Sequence, residues 1–340
     1  MKKLNIKTLI TAFTALILTV SQTTFACTSF NYVAPDGSRI VGHSMELPVE
    51  AHEHLALIPR GHQFAEDGIK ALYGFVAMQH GTGDATTISS GMNEHGVSIT
   101  AQELGMSVYA SQGKGDLSHW NVPAYILGNA KSVDHAVELL SKLSIYQGND
   151  VFGTMGTHWS IQDNDRAIVV EVESAMGIPT VYESVGAMAN SPSYDTQIVI
   201  AKEKFNNAQD LRKVDRNQVE SVGVYGNQTS PDRFQRAIFL NATADFSRDD
   251  SKAAILNHTW NMLNTFDIAQ GTLYWTWLAP EPQTVTHFTV HDLKEKAYYY
   301  RTYKDMNIKK VDVNAIDWAT AKYSSSDIYK SVTKYENVTF

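Results

Sequence analysis

The chain has 340 residues, 43% of them hydrophobic and 19% charged, with 21 glycines and 9 prolines, so it can bury a sizeable core and is neither collagen-like nor disordered. The formal net charge of −8 argues against nucleic acid or an anionic membrane surface as the main partner. The single cysteine, Cys27, excludes a disulfide within the chain and a zinc site with two or more cysteine ligands.

The first 26 residues have the pattern of a secretory signal peptide. Three lysines within the first seven residues precede a mostly apolar run over 9–20, and Thr24 and Ala26 are small residues three and one positions before a cut. The run is shorter and richer in threonine than the roughly 20 apolar residues of a retained anchor. We therefore predict that residues 1–26 are removed and that the protein is exported. The mature chain would have 314 residues and, having lost three lysines, a net charge of −11.

Cleavage after Ala26 would make Cys27 the first residue of the mature chain. An N-terminal cysteine can carry a nucleophile and a base together, because its thiolate attacks while its own α-amine, with a pKa of about 8, accepts a proton. The amine exists only after the preceding peptide bond is cut. Removal of residues 1–26 would therefore also activate the nucleophile.

A second interpretation of the same cysteine is lipid attachment. Bacterial lipoproteins also begin at a cysteine after their signal peptide. Thr24 and Phe25 fit the usual preceding triplet of such proteins poorly. The two interpretations exclude each other, since a lipidated thiol cannot attack a substrate, and the sequence favours a free Cys27 without a membrane anchor.

Strand patterns dominate the first part of the mature chain, with Asp36-Gly37 as a turn between two of the strands. Alternating and β-branched residues identify these segments. The predicted strands span 27–33, 39–45 and 54–59, followed by strand-like runs within 71–103 that are broken at Gly81, Gly83 and Gly91.

Helices and strands follow in blocks. Residues 122–143 predict one amphipathic helix, and the β-rich stretches 159–172 and 180–189 include a hairpin turn at Asn164-Asp165. The remaining predictions are helices at 195–206, 231–240 and 251–266 and closing strands at 285–292, 296–303 and 308–313. This order predicts an α+β fold with helices covering antiparallel sheets, and 27–340 as a single domain.

An ordered set of short motifs resembles the choloylglycine hydrolase family. That family includes the bile salt hydrolases and penicillin V acylases and belongs to the N-terminal-nucleophile hydrolases. Each motif alone is weak, but together they span nearly the whole mature chain in the right order. The matching segments are 27–30, 36–38, 42–46, 91–97, 189–195, 230–234, 286–289 and 299–303.

The resemblance implies a fold, a source and a reaction. The fold is a four-layer αββα sandwich, in which two antiparallel sheets lie between helical layers. A bacterial source is implied, and with it a periplasmic or secreted location. The reaction is the hydrolysis of a linear amide through a thioester on Cys27.

The resemblance also assigns the residues around the nucleophile. Glu46 takes the position of the carboxylate that orients the cysteine amine, where the common residue is aspartate. The side-chain amide of Asn190 donates to the oxyanion, a contribution of roughly 3 kcal/mol to the transition state. Glu103 supplies the second donor through its backbone N–H, because a carboxylate would repel the oxyanion. Arg233 holds the site carboxylate and the asparagine by bidentate bonds.

One position departs from the family pattern. An arginine usually lies three residues before the site carboxylate, and here that residue is His43. Histidine is mostly neutral at pH 7 unless Glu46 or the thiolate raises its pKa, whereas arginine is always charged and can depress the pKa of the thiol. We expect lower activity, a shifted pH profile or a different substrate.

The sequence supports no cofactor. His52 and His54 could provide two metal ligands, but no third ligand follows at zinc-site spacing and no His-Glu-x-x-His occurs. There is no phosphate loop and no Gly-x-Gly-x-x-Gly fingerprint. The expected partner is a small acyl amide, and the resemblance implies a homo-oligomer, a tetramer.

Three functions remain open from the sequence. The first is an exported amidohydrolase acting on a conjugated bile acid, penicillin V or an N-acyl homoserine lactone. The second is a non-catalytic binding protein or lipid-anchored surface protein on the same fold. The third is a cysteine dipeptidase, because the segment 91–97 is also similar to that group, although Asn190 and Arg233 fit it less well.

Overall fold

The computed structural model describes residues 27–47, 52–149, 152–215, 226–275 and 281–339. The predicted signal peptide at 1–26 lies outside the described residues. In chain order the strands are β1 (Thr28–Val33), β2 (Arg39–Leu47), β3 (Glu53–Ile58), β4 (Phe75–His80), β5 (Ile88–Asn93), β6 (Ser98–Glu103), β7 (Leu117–Ser118), β8 (Ile145–Tyr146), β9 (Thr157–Gln162), β10 (Ala167–Val172), β11 (Pro179–Glu183), β12 (Ala187–Ala189), β13 (Tyr274–Trp275), β14 (Glu281–Pro282), β15 (Thr284–Asp292), β16 (Ala297–Thr302), β17 (Lys309–Asp312) and β18 (Ser324–Asp327).

Five α-helices accompany these strands in the described part of the chain. They are α1 (Val122–Asn129), α2 (Val133–Leu140), α3 (Tyr194–Lys204), α4 (Ser230–Ala242) and α5 (Lys252–Asn264). None of them is long and apolar enough to cross a membrane.

Two large antiparallel sheets form the centre of the molecule. One has six strands in the order β12-β1-β2-β15-β16-β17, and the other has eight in the order β11-β10-β9-β6-β5-β4-β3-β18. Helices α3, α4 and α5 share an apolar cluster with the six-stranded sheet, and α1 and α2 share another with the eight-stranded sheet. A third cluster lies between the sheets. The predicted αββα sandwich is confirmed.

The layer between the sheets is partly polar. Thr100 donates to the hydroxyl of Ser29 at 3.0 Å, and Ser90 and Tyr298 share a hydrogen bond of 2.8 Å. Because buried hydroxyls need partners, such pairs tie one sheet to the other at defined positions. The start of β1 and the middle of β6 are thereby held opposite each other.

The strand break predicted at Gly91 is wrong, because this residue lies within β5. A Cβ at this position would come within 2.6 Å of Leu127 Cδ1 on α1 and 2.8 Å of the Val76 carbonyl. The glycine therefore permits close approach of a helix to the sheet and does not mark a turn.

The single helix predicted over 122–143 is two helices. Ala130 has extended backbone geometry and ends α1. Ser132 then begins α2 as an N-cap residue, accepting a hydrogen bond from the backbone N–H of His135 at 3.1 Å. The capping serine was a visible signal of this break.

The other predicted strands and helices lie close to their expected positions. The hairpin turn at Asn164-Asp165 joins β9 and β10, which pair antiparallel. Strand β18 is missing from the prediction, since its sequence is three serines and an aspartate without apolar alternation. It pairs with β3 at the edge of the eight-stranded sheet.

Candidate active site

Strand register places Cys27 between two other elements. Thr28, the first residue of β1, pairs with Ser44 on β2 and with Ala189 on β12. Cys27 therefore lies at the open end of both pairs, beside the last residues of β2 and the segment that follows β12. Its Sγ is 3.4 Å from the backbone nitrogen of Glu46 and 3.6 Å from Met45 Sδ.

The thiol is buried, with 3% of Cys27 exposed. Burial, and next the charge of Glu46, raise the pKa of the Cys27 thiol to about 12. The nearby N–H of Glu46 and the charge of Arg233 act in the opposite direction. In the full-length chain the Cys27 nitrogen is an amide, so the ammonium group that would favour a thiolate is absent. The thiol of this form is protonated.

Arg233 connects the nucleophile to the oxyanion side of the site. It lies in the first turn of α4, which begins after the capping Thr229 and contains Pro231 at its start. Its Nη1 donates to the Cys27 carbonyl and, at 2.6 Å, to the hydroxyl of Thr28. Its Nη2 donates to Asn190 Oδ1 at 2.9 Å. One buried guanidinium thus fixes two functional residues on different elements.

Asn190 follows β12 and is oriented by that contact. Because Arg233 binds its oxygen, its amide nitrogen must face the other way, and Nδ2 donates to the Glu103 carbonyl at 2.9 Å. Gln197 on α3 donates to the backbone carbonyl of Asn190. One hydrogen of Nδ2 is left for a further acceptor, as an oxyanion donor requires.

Glu46 is fully buried near the end of β2. Burial raises the pKa of its carboxyl well above the usual value, and the charge of Arg233 opposes this. Neither carboxyl oxygen has a hydrogen-bond partner among the described residues. The expectation that Arg233 would bind both the asparagine and the carboxylate is corrected here: the guanidinium binds Asn190 but makes no hydrogen bond to Glu46.

Glu103 ends β6, opposite Thr157 on β9. Its carbonyl accepts from Asn190, and its carboxyl interacts with the N–H of Gly105. Burial raises the pKa of this carboxyl to about 8, against the lowering effects of Gly105 and Arg233. The structure therefore places Glu103 beside the oxyanion side of the site, and the role of its backbone N–H stays a prediction.

His43 is set apart from this cluster. It lies in the middle of β2, paired with Ser29 and Thr289, and its ring meets that of His287 edge-on at 6.5 Å. Burial, and next the charges of His287 and His291, lower the pKa of His43 well below its usual value. The ring is neutral, and neither nitrogen has a hydrogen-bond partner among the described residues.

A cavity opens at Cys27 between the two sheets. The space within it is about 500 Å³ when the open solvent at its mouth is counted. Glu46 and Glu103 reach its wall together with Gln102, His80 and His119. The remaining lining is mostly apolar and includes Met45, Leu47, Ile88, Trp120, Pro123, Phe152, Met155 and Trp159.

Sequence reasoning missed most of this lining. With its side-chain amide oriented to satisfy both ends, Gln102 donates to the Cys27 carbonyl at 3.3 Å and accepts from the N–H of Ser29 at 2.8 Å. His119 stacks on Tyr109, and burial lowers its pKa to about 4. No motif distinguishes these residues, because they reach the cavity only through the pairing of distant strands.

The described residues contain no group of three or more histidine, cysteine, aspartate or glutamate side chains arranged to hold a metal ion. The polar and reactive groups of the site are the Cys27 thiol, the Glu46 and Glu103 carboxyl groups, the Asn190 amide and the Arg233 guanidinium.

A buried cysteine at the start of a central strand, in two facing sheets between helical layers, defines an N-terminal-nucleophile hydrolase. The family model for linear amide C–N hydrolases of the choloylglycine hydrolase family matches residues 27–328. The chain belongs to that family. It is accordingly an enzyme that acts on the carbon–nitrogen bonds of linear amides.

Characterised relatives cover most of the chain at low identity. A bile salt hydrolase/transferase of Clostridium perfringens is 25% identical over 313 residues, which are 85% of this chain and 92% of the relative. A bile salt hydrolase/transferase of Bifidobacterium longum is 22% identical over 306 residues, 83% of this chain and 94% of the relative.

Solved structures show the same fold. A conjugated bile acid hydrolase from Clostridium perfringens superposes with a TM-score of 0.78 at 21% identity, covering 92% of this chain and all of the other. Penicillin V acylase from Agrobacterium tumefaciens superposes with a TM-score of 0.72 at 21% identity, covering 90% of this chain and 94% of the other.

Proposed function

We propose that the chain is an exported bacterial hydrolase of N-acyl amides that forms a thioester on Cys27 after residues 1–26 are removed. One observation carries the proposal: Cys27, Glu46 and Glu103 share a cavity, and Asn190 is joined to Cys27 through Arg233. The family match begins at Cys27, which supports the removal of the preceding segment.

The reaction begins with the free amine of processed Cys27, which takes the proton of the thiol. The sulfur attacks the amide carbonyl carbon, an S–C bond forms, and Asn190 Nδ2 stabilises the oxygen anion. The C–N bond then breaks, and the α-ammonium gives its proton to the leaving amine. In the second half the amine takes a proton from water, the hydroxide attacks the thioester, and the acid leaves as the S–C bond breaks.

Glu46 supports the amine in this scheme. Its buried carboxyl lies on the strand beside Cys27 and has no hydrogen-bond partner among the residues described. A carboxylate in such a place stabilises a neighbouring ammonium by its charge. Cleavage before Cys27 supplies that cation.

The cavity selects the substrate through its apolar wall. Trp120, Phe152 and Trp159 offer aromatic surface next to Cys27, which suits an apolar acyl group with its amide at the thiol. Conjugated bile acids, phenoxyacetyl penicillin and N-acyl homoserine lactones all meet this description. We keep the three as candidate substrates and a homo-tetramer as the assembly.

The test combines intact mass with turnover. The exported protein should have a mass starting at Cys27, and it should release amine from at least one of the three acyl amides. Cys27→Ser should lower turnover by about 10³-fold or more, because the hydroxyl is a far poorer nucleophile than the thiolate. Loss of turnover with unchanged thermal unfolding would assign the effect to chemistry.

Other outcomes of the same experiment separate the alternatives. An added diacylglyceryl mass on Cys27 would end the hydrolase mechanism and establish the lipid-anchored protein. Turnover of dipeptides but not of acyl amides would establish the dipeptidase. A free Cys27 with no turnover of either substrate class would favour the non-catalytic binding protein.

A further inference from the structure

The carboxyl group of Glu103 is a buried acid in the wall of the nucleophile's cavity. Glu103 is 5% exposed and shares the cavity with Cys27. A Cβ on Gly105 would lie 2.7 Å from Glu103 Oε1, so this oxygen is turned toward the Gly105 backbone. The other oxygen, Oε2, has no hydrogen-bond partner among the described residues.

No cation is hydrogen-bonded to Oε2 of Glu103 among the described residues. The charged or titratable groups around Glu103 are Arg233 on α4, Cys27 before β1, Glu46 on β2, and the cavity histidines His80 and His119. The guanidinium of Arg233 acts on the Glu103 carboxyl through its charge, and its hydrogen bonds include those to Cys27, Thr28, Asn190 and the Gln228 carbonyl.

The protonation state follows from this environment. Burial raises the pKa of the Glu103 carboxyl to about 8, although the N–H of Gly105 and the charge of Arg233 both act to lower it. In the full-length chain the group is therefore mostly a neutral acid at pH 7. A neutral carboxyl has an O–H donor, which a carboxylate lacks.

The backbone of Glu103 already belongs to the oxyanion side of the site. Asn190 Nδ2 donates to the Glu103 carbonyl at 2.9 Å, so the amide donor and Glu103 are held to each other. The unpartnered Oε2 thus belongs to a residue that is locked to the first oxyanion donor and shares a cavity with the nucleophile.

We propose that Glu103 acts as a neutral carboxylic acid whose O–H donates a hydrogen bond to the oxyanion formed at Cys27, beside the Asn190 amide. The inference rests on the proposed hydrolase function and adds a catalytic side chain to it. The proton stays on Glu103 throughout, so no acid or base is consumed. A neutral carboxyl also removes the repulsion that made a backbone donor the expectation for this residue.

The test compares two substitutions that differ in whether a donor remains. Glu103→Leu removes the donor and should lower kcat by about 10²–10³-fold with a small change in KM. Glu103→Gln keeps an N–H donor of similar shape and should restore kcat to within about tenfold of the unaltered enzyme at pH 7. Glu173, an exposed glutamate outside the cavity, provides the matched controls Glu173→Leu and Glu173→Gln, which should leave kcat unchanged.

The pH profile gives the readout that a structural role would not move. In the unaltered enzyme kcat should fall as pH rises through about 8, because Glu103 then loses the proton that makes it a donor. In Glu103→Gln the part of this fall that comes from Glu103 should be absent, since an amide does not ionise, while the part that comes from the Cys27 α-ammonium stays in both proteins. A fall of kcat that is equal in both variants, or an alkaline limb in Glu103→Gln that is as steep as that of the unaltered enzyme, would overturn the inference.

Alkylation of Cys27 by iodoacetamide separates this failure from failure of the hydrolase proposal. If the unaltered protein turns over substrate and both variants are alkylated at its rate, the nucleophile is intact and kcat reports the oxyanion donor alone. If Glu103→Leu turns over substrate as fast as the unaltered protein, the inference fails while the hydrolase stands. If the unaltered processed protein neither reacts with iodoacetamide nor turns over substrate, the hydrolase proposal itself fails.

Discussion

Glu46 and Glu103, the two buried carboxyl groups near Cys27, differ in the groups that lie next to them. Burial raises the pKa of both Glu46 and Glu103. Glu46 lies beside the position where cleavage creates an ammonium group, which would favour its ionised form. Glu103 lies beside the amide donor, where burial outweighs the charge of Arg233 and favours the neutral form. Their different roles follow from what is placed next to each carboxyl.

His43 is the residue at which the family pattern and this chain differ, and it gives a test. Side chains at 43 and 45 share one face of β2, and Met45 Sδ is 3.6 Å from the thiol. His43→Arg would place a permanent charge on that face. We expect the rate–pH profile to shift to lower pH, because the cation lowers the pKa of the thiol.

The same substitution should cost about 3 kcal/mol of unfolding free energy, because it buries a charge beside His287 and His291. His43→Gln, which adds no charge, is the control for loss of the ring. Rates measured against pH, with urea unfolding of each variant, check both effects. A rate–pH profile for His43→Arg that matches that of the unaltered enzyme would contradict the expected effect of a charge at position 43.

The site could be predicted in part from sequence. Cys27, Glu46, Asn190 and Arg233 were each predicted by motif. The contact between Arg233 and Asn190 is as expected, whereas the expected contact between Arg233 and Glu46 is not made. The contact between Arg233 and the Cys27 carbonyl could not be predicted, because it depends on how α4 packs against β1. The neutral state of Glu103 depends on burial, which a residue's identity does not give.

At the scale of elements, the strand pattern was readable wherever apolar alternation was present. Strands β1 to β3 lie close to their predicted segments, and β4 to β6 lie within the strand-rich stretch predicted at 71–103. The exceptions have physical causes: Gly91 accommodates a packed helix, Ser132 caps a second helix, and the serines of β18 carry no apolar signal. In each case tertiary packing decided what local composition left open.

The contact between α1 and β5 gives a prediction at this scale. Gly91→Ala should lower the unfolding free energy by about 1–3 kcal/mol, because the methyl group overlaps Leu127 and the Val76 carbonyl. Turnover at 25 °C should be little changed, since neither element carries a catalytic residue. Urea unfolding measures the loss.

A glycine in open space is the control for the backbone effect alone. Gly68 has φ +62° and no atom within 4 Å of its Cβ position, so Gly68→Ala costs only its left-handed conformation, about 1 kcal/mol. Unchanged stability of Gly91→Ala would contradict the close approach of α1 to β5 at this position.

At the scale of the whole molecule, several histidines are buried without charge. Burial lowers the pKa of His43 well below the usual value, that of His119 to about 4 and that of His291 to about 3. In the unfolded chain each takes up a proton near pH 6.5. Below that pH the unfolded state binds more protons than the folded state, so each such histidine reduces stability as pH falls toward its folded pKa.

His291→Gln tests this linkage. The variant loses the 2.6 Å contact with Ser98 and should be less stable at pH 7.5. Between pH 6.5 and pH 4 its unfolding free energy should fall less steeply than that of the unaltered protein, by up to about 1.4 kcal/mol per pH unit. Urea unfolding at several pH values gives both slopes.

The slope difference is the quantity to compare, because Glu46 and Glu103 have raised pKa values and contribute in the opposite direction over part of this range. His52→Gln, at an exposed position, should leave the slope unchanged. Equal slopes for His291→Gln and the unaltered protein would show that His291 is not kept neutral by the fold.

Arg233 has a consequence for how this enzyme loses activity. A single side chain spans helix α4, the start of β1 and the segment after β12. None of these three can move away without breaking contacts of the same guanidinium. Local opening at the site therefore costs the contacts of Arg233 in addition to those of the element that moves. As the denaturant concentration rises, residual turnover should fall in proportion to the fraction of molecules that remain folded. A turnover assay would then measure the unfolding of the enzyme.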